Sequence, residues 1–71
     1  MESRRGIIIK INPRKRYGFI RDEQEEEEFY FHAVGVVSPD FKELREGLPV
    51  MFFAVDDNRG PLRRAIGITV E

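Results

Sequence analysis

Five short runs of apolar or alternating residues, none longer than nine, make up most of this chain, and each ends in turn-formers or charge. They span Gly6 to Asn12, Tyr17 to Asp22, Glu28 to Val34, Leu48 to Asp56 and Arg63 to Val70. Period-2 runs of this length fit strands and are too short for amphipathic helices. Asn12-Pro13-Arg14 turns the first run into the second, and Asp56-Asp57-Asn58-Arg59-Gly60-Pro61 connects the fourth to the fifth. Between the third and fourth, Ser38 as N-cap, Pro39 at the first helical position and Gly47 as a stop predict one short helix or turn. Five strands with a long third connection suggest an all-β fold, a small five-stranded antiparallel Greek-key barrel. Pattern alone leaves an open sheet or an SH3-like barrel as alternatives.

With 71 residues the expected organisation is a single domain over 1–71, undivided by linker or repeat. A domain of that size buries only about 60% of its unfolded surface, so it has room for one modest core. Ile8, Ile20, Phe29, Phe31, Val50, Phe52, Val55 and Ile66 suffice for that core, which frees Tyr17, Phe19 and Tyr30 for another task. The absence of cysteine and the presence of one histidine exclude disulfides, thiolate metal sites and a cysteine nucleophile. The longest aliphatic run, Ile7-Ile8-Ile9, is far short of the roughly 20 residues a membrane helix needs. No signal-peptide pattern precedes it, so the expectation is a soluble, cytoplasmic protein; a monomer is the expected state, although no residue pattern decides it.

Net charge is −1, yet the charges are strongly segregated. Residues 1–21 carry Arg4, Arg5, Lys10, Arg14, Lys15, Arg16 and Arg21 against Glu2 alone, a local balance of +6. Residues 22–28 hold Asp22, Glu23 and Glu25 to Glu28, a balance of −6. Such a block reads first as a solvated, solubilising turn that does not pack; the functional reading is an acidic boundary that phosphates avoid.

The chemistry-bearing feature is Lys15-Arg16-Tyr17-Gly18-Phe19-Ile20, where cations, rings and a glycine interleave within one strand. Alternation puts Tyr17 and Phe19 on one face; in Phe29-Tyr30-Phe31-His32 it puts Tyr30 and His32 on one face and the two phenylalanines on the other. If the two strands pair, four flat side chains form one platform. An unpaired base stacking on such a ring gains roughly 1–3 kcal/mol, so the pattern points to single-stranded RNA or DNA. Arg63 and Arg64 are adjacent, so only one of them can join a given face.

These residues resemble the bacterial cold-shock domain, whose two motifs read approximately Lys-Gly-Phe-Gly-Phe-Ile and Val-Phe-Val-His-Phe. The resemblance extends through Gly6, Asn12, Phe41-Lys42, Leu44, Glu46-Gly47, Val50, Phe52 and Gly60-Pro61, over roughly residues 6–66. It implies a closed five-stranded barrel of the OB-fold type that binds single-stranded nucleic acid with low sequence selectivity and acts as a nucleic-acid chaperone. By the same resemblance Tyr17, Phe19, Tyr30 and His32 are the stacking residues, and Lys15, Phe41 and Arg59 sit where family members contact ligand; Lys10 and Arg16 join the nucleic-acid-binding set as cations of this chain's own. Phe41 is equally readable as a plug over the open end of the barrel. The chain departs from the pattern at Ile9-Lys10-Ile11, where the family usually has Lys-Trp-Phe, at Ala33, where a phenylalanine is usual, and at Arg16, where the motif has glycine.

No Gly-rich phosphate loop, paired catalytic carboxylates or metal cluster is present in the sequence, so neither an enzyme nor a cofactor is expected, nor a small-molecule substrate. The competing reading is a translation-associated or regulatory OB-barrel whose thinned aromatic face docks a protein partner.

Overall fold

The computed structural model describes residues 3–38, 40–56 and 62–71. Its strands are β1 (Ser3–Asn12), β2 (Tyr17–Asp22), β3 (Glu28–His32), β4 (Val36–Ser38), β5 (Pro49–Val55) and β6 (Arg63–Val70). Their order is β3-β2-β1-β5-β6-β4, and β3 also pairs with β6 in parallel, through Phe29 opposite Arg63 and Tyr30 opposite Arg64. That pairing closes β1, β2, β3, β5 and β6 into the five-stranded barrel and leaves neither β3 nor β6 as a free edge. β1 closes the other half by pairing with β5 over its first residues and β2 over its last.

Three of the five expected strands agree with the observed ones to within a residue; the first begins three residues earlier, at Ser3, and the third stops at His32. Two details of the third connection differ from expectation. A short sixth strand, β4, lies parallel to β6. The expected helix is a single 3-10 turn, Phe41–Glu43, whose N-cap is Asp40 rather than Ser38, and Asp40 makes no side-chain capping bond. Ser38 instead ends β4, and Pro39 lies outside the described residues.

Ile8, Ile20, Phe29, Phe31, Val50 and Phe52 are fully buried, as expected. Val55 and Ile66 are only half-buried, and Ala65, Ile68, Leu44 and Phe41 complete the core instead. Val55 is out of phase with Val50 and Phe52 and faces outward opposite Arg64; in β6 the cause is a bulge, since Phe53 opposes Ile66 but Met51 opposes Thr69, so three steps of β6 match two of β5. The extra residue inverts the alternation beyond it. Gly67 absorbs the distortion at φ 61°, and a Cβ there would lie 2.9 Å from the Phe53 ring.

A second bulge sits in β1, where Ile8 opposes Ile20 and Lys10 opposes Phe19. Ile9 is the extra residue and stands 39% exposed. Without it, Lys10 would follow Ile8 into the barrel; with it, Lys10 emerges beside Phe19 on the outer surface.

Candidate nucleic-acid interface

The β1–β2–β3 registers assemble the outer face in two rows. Asn12, Tyr17 and His32 are successive cross-strand partners, and so are Lys10, Phe19 and Tyr30, with Arg64 of β6 beyond Tyr30. Cross-strand partners share a face. Ring centroids lie 5.9 Å apart for Tyr17–Phe19, 5.8 Å for Tyr17–Tyr30 and 6.1 Å for Phe19–Tyr30, so three rings form a compact triangle. All three are half-buried, while Gly18, Ile20, Phe29 and Phe31 between them point into the barrel. Gly18 makes this possible: a Cβ there would fall 2.8 Å from the Phe31 ring and 2.5 Å from the Lys10 carbonyl. Removing that side chain lets Phe31 fill the core directly beneath the platform.

His32 extends the platform with a fixed tautomer. Its Nδ1 accepts the Val34 N–H at 3.3 Å and so caps the one-turn 3-10 helix Ala33–Gly35, which in the neutral ring leaves Nε2 as an N–H donor. Lys15 and Arg16 lie in the exposed turn that joins β1 to β2, with Arg14 beside them. Arg16 occupies the left-handed region at φ 61°; its N–H donates to the Asn12 carbonyl at 2.8 Å, and its own carbonyl accepts the Ala33 N–H at 3.0 Å. The choice between the adjacent arginines is settled by β6: Arg64 falls in the platform row, and Arg63 turns to the end of the barrel.

Phe41 requires correction. It is 6% exposed and packs 6.1 Å from Phe31, so it plugs the barrel and offers no free ring face to a base. It forms instead the inner wall of a groove of about 480 Å³ beside the platform, which Arg16, Ala33 and Lys42 also line. Arg59 lies outside the described residues.

The acidic block also departs from expectation, because part of it packs. Asp22 is 4% exposed; its Oδ1 accepts the Gln24 and Glu25 N–H groups at 2.8 and 3.1 Å, and its Oδ2 accepts from Arg4 at 3.0 Å. Burial pushes this carboxyl up, but the Glu25 and Gln24 N–H bonds and the Arg4 guanidinium outweigh it and hold Asp22 below the usual carboxylate range. Arg4 and Arg63 each lie 5.5 Å from the Phe29 ring centroid, and Glu27 reaches both guanidinium groups, at 3.9 and 3.3 Å. The tract closes the far end of the barrel by pairing with two cations the platform does not use. A buried acid followed two and three residues later by free backbone N–H groups is an Asx-type turn, a signal that the charge count alone conceals.

The 'Cold-shock' DNA-binding domain family matches residues 4–70. The chain belongs to the cold-shock domain family. Similar proteins include a cold shock-like protein of Aquifex aeolicus (strain VF5), 30% identical over 67 residues, 94% of this chain and 96% of the relative. Cold shock protein CspB of Geobacillus stearothermophilus is 40% identical over 57 residues, 80% of this chain and 85% of that one. Cold shock-like protein CspD of Bacillus cereus is 44% identical over 56 residues, 79% of this chain and 83% of that one. The solved structure of drosophila Unr CSD456 shares the fold at a TM-score of 0.77 and 21% identity, over 99% of this chain and 27% of that one.

A cold-shock domain is a nucleic-acid-binding fold, and this one carries a reduced version of the family's surface. Where the motif has tryptophan and phenylalanine late in the first strand, Lys10 supplies charge and Ile11 packs against the core. Where the second motif ends in phenylalanine, Ala33 leaves the groove above Phe41 open. The glycine of the first motif corresponds to the position that Arg16 holds at positive φ. Among the described residues no cluster of side chains is suited to hold a metal ion, and no helix is long and apolar enough to cross a membrane.

Proposed function

We propose that this cold-shock domain binds single-stranded RNA or DNA with low sequence selectivity, and that it acts as a nucleic-acid chaperone by capturing exposed bases. The observation that carries the reading is the triangle of Tyr17, Phe19 and Tyr30 on the outer face, 5.8 to 6.1 Å apart, flanked by Lys10 and His32. Bases stack on the rings, while Lys15 and Arg16 in the adjoining turn take phosphates. Stacking on two or three rings, at roughly 1–3 kcal/mol each, supports a short footprint, and the cations make a large share of the affinity electrostatic. The working unit is a monomer in the cytoplasm, with no cofactor and no reaction.

A second reading, a regulatory barrel docking a protein partner on the same side, draws on Val34 and Val37, which stand 89% and 69% exposed close to His32 in sequence. Titration with heptathymidine and hexauridine at low salt separates the two. Salt-sensitive binding that Tyr17→Ala and Phe19→Ala abolish supports the first; no binding to either strand at low salt refutes it.

A further inference from the structure

We propose that the Tyr17 hydroxyl, held in place by Asn12, is a ribose contact that makes this face prefer RNA to DNA of the same base sequence. The inference rests on the single-strand-binding reading above and assigns its specificity. The family's first motif has phenylalanine where this chain has Tyr17, so the phenol is an addition to the stacking ring.

Asn12 is held at three points. Its backbone carbonyl accepts the Arg16 N–H at 2.8 Å, its Oδ1 accepts the Lys15 N–H at 3.1 Å, and its Nδ2 donates to the Tyr17 hydroxyl at 3.3 Å. A backbone N–H only donates, so the Lys15 contact fixes which end of the amide is oxygen, and the end facing Tyr17 is the NH2 group. The Tyr17 oxygen therefore gives one lone pair to Asn12 and keeps its proton and its second lone pair for a ligand. A group that still both donates and accepts is matched by the 2′-hydroxyl, which does both and which DNA lacks. A phosphate only accepts, and the exposed Arg14, Lys15 and Arg16 of the same turn already serve it. Geometry agrees. A phenol oxygen lies at the rim of its ring and in the ring plane, so a base on the ring face is one layer away and the sugar-phosphate strand passes beside the rim.

Hexauridine and hexadeoxyuridine differ only in their 2′-hydroxyls, and anisotropy of end-labelled strands at one salt concentration gives the ratio of their affinities. The unaltered chain is expected to bind hexauridine about three- to tenfold more tightly, the size of one net hydrogen bond. Tyr17→Phe keeps the ring and is expected to bring the ratio close to one. Asn12→Asp keeps the oxygen that caps Lys15 but turns the NH2 donor into an acceptor, which draws the phenol proton away from the ligand. Its ratio is expected to collapse although Tyr17 is intact, whereas the added charge weakens both strands alike and leaves the ratio unmoved. Equal affinities in the unaltered chain, or a preference that survives Tyr17→Phe, overturn the proposal, as does a Tyr17→Phe loss shared equally by both strands, which marks a base or phosphate contact. A preference that survives in folded Asn12→Asp refutes the orienting role of Asn12. If that variant unfolds by circular dichroism, Tyr17→Phe alone decides. Failure of the unaltered chain to bind either strand is a different result, and it refutes the single-strand reading itself.

Discussion

Replacing Arg16 by glycine is expected to stabilise the fold and weaken binding at once. Arg16 sits at φ 61°, where the Cβ of an L-residue crowds the following carbonyl and costs roughly 1–2 kcal/mol. Glycine removes that cost but loses more freedom on folding, by about 0.4–1 kcal/mol, so the net gain is on the order of 0.5–1 kcal/mol. Both hydrogen bonds of residue 16 run through its backbone, to Asn12 and from Ala33, and survive the change. For a domain this small the gain corresponds to a rise in Tm of about 2–8 °C. The lost guanidinium removes one cation from the turn, so the slope of log Kd against log salt should flatten by about 0.7 if it holds one phosphate. Arg16→Ala separates the two effects, because it removes the charge and keeps the strained backbone; its salt slope should match that of the glycine variant without the rise in Tm. Thermal unfolding and oligonucleotide titration of the three proteins test the argument. A glycine variant no more stable than Arg16→Ala refutes the claim that residue 16 is strained, and an unchanged slope in both refutes its phosphate contact.

Other expectations follow from the same surface and its supports. Phe19→Ala or Tyr30→Ala should cost roughly 1–3 kcal/mol of single-strand affinity with little loss of stability, whereas Phe31→Ala, buried beneath them, should cost about 3–5 kcal/mol in urea unfolding. Equal stability losses at all three positions contradict the inside–outside assignment. Asp22→Asn should destabilise by about 1–3 kcal/mol near neutral pH, because it breaks a charged bond to Arg4. The Asp22 pKa is lowered in the folded state, so its contribution is complete above the unfolded value of 3.8 and is lost as pH falls below it through the folded value. The gap between wild type and Asp22→Asn should therefore stay constant above about pH 5 and narrow in acid as the carboxyl protonates; a gap that does not narrow as pH falls argues against this carboxylate as the cause. Ala33→Phe, which places a ring over the groove above Phe41, should tighten binding by roughly 1–3 kcal/mol, and an unchanged Kd shows that the strand does not pass there.

How far the sequence reveals this molecule depends on whether alternation holds. In β2 and β3 it does: Gly18, Ile20, Phe29 and Phe31 face inward and Tyr17, Phe19, Tyr30 and His32 outward, so period 2 groups the rings on one face and the inventory of core residues says which face is outer. In β1 and β6 one extra residue breaks the period, so Ile68 takes the core place expected of Ile66; in β5 Val55 is out of phase with Val50 and Phe52 and lies opposite Arg64 on the outer side. A bulge carries a weak sequence mark. Gly67 at φ 61° is a clue in β6, but in β1 the bulge falls on Ile9 within a run of three isoleucines that reads as uninterrupted strand. Phe41 was ambiguous for another reason. It lies beyond β4 in a connection without period, so only its packing against Phe31 decides its side.

The charge pattern shows how a chain of net charge −1 presents a basic face. The basic excess divides by position along the strands rather than by sequence block. Arg4 and Arg63 lie at the barrel end next to Phe29, where Asp22, Glu25, Glu27 and Asp56 pair with them, and Arg5 pairs with Glu71. Lys10, Arg14, Lys15 and Arg16 lie at the opposite end of β2, around the turn and the platform, and the acidic tract is one full strand length away from that turn. β2 thus runs from a positive end at Tyr17 to a negative end at Asp22, with the rings between them. Six residues at about 3.4 Å each separate the ends by roughly 17–20 Å, about two Debye lengths at physiological salt. At that separation the glutamates neutralise the molecule without neutralising the face. Moving the tract toward the turn would erase the binding potential while leaving net charge and composition unchanged.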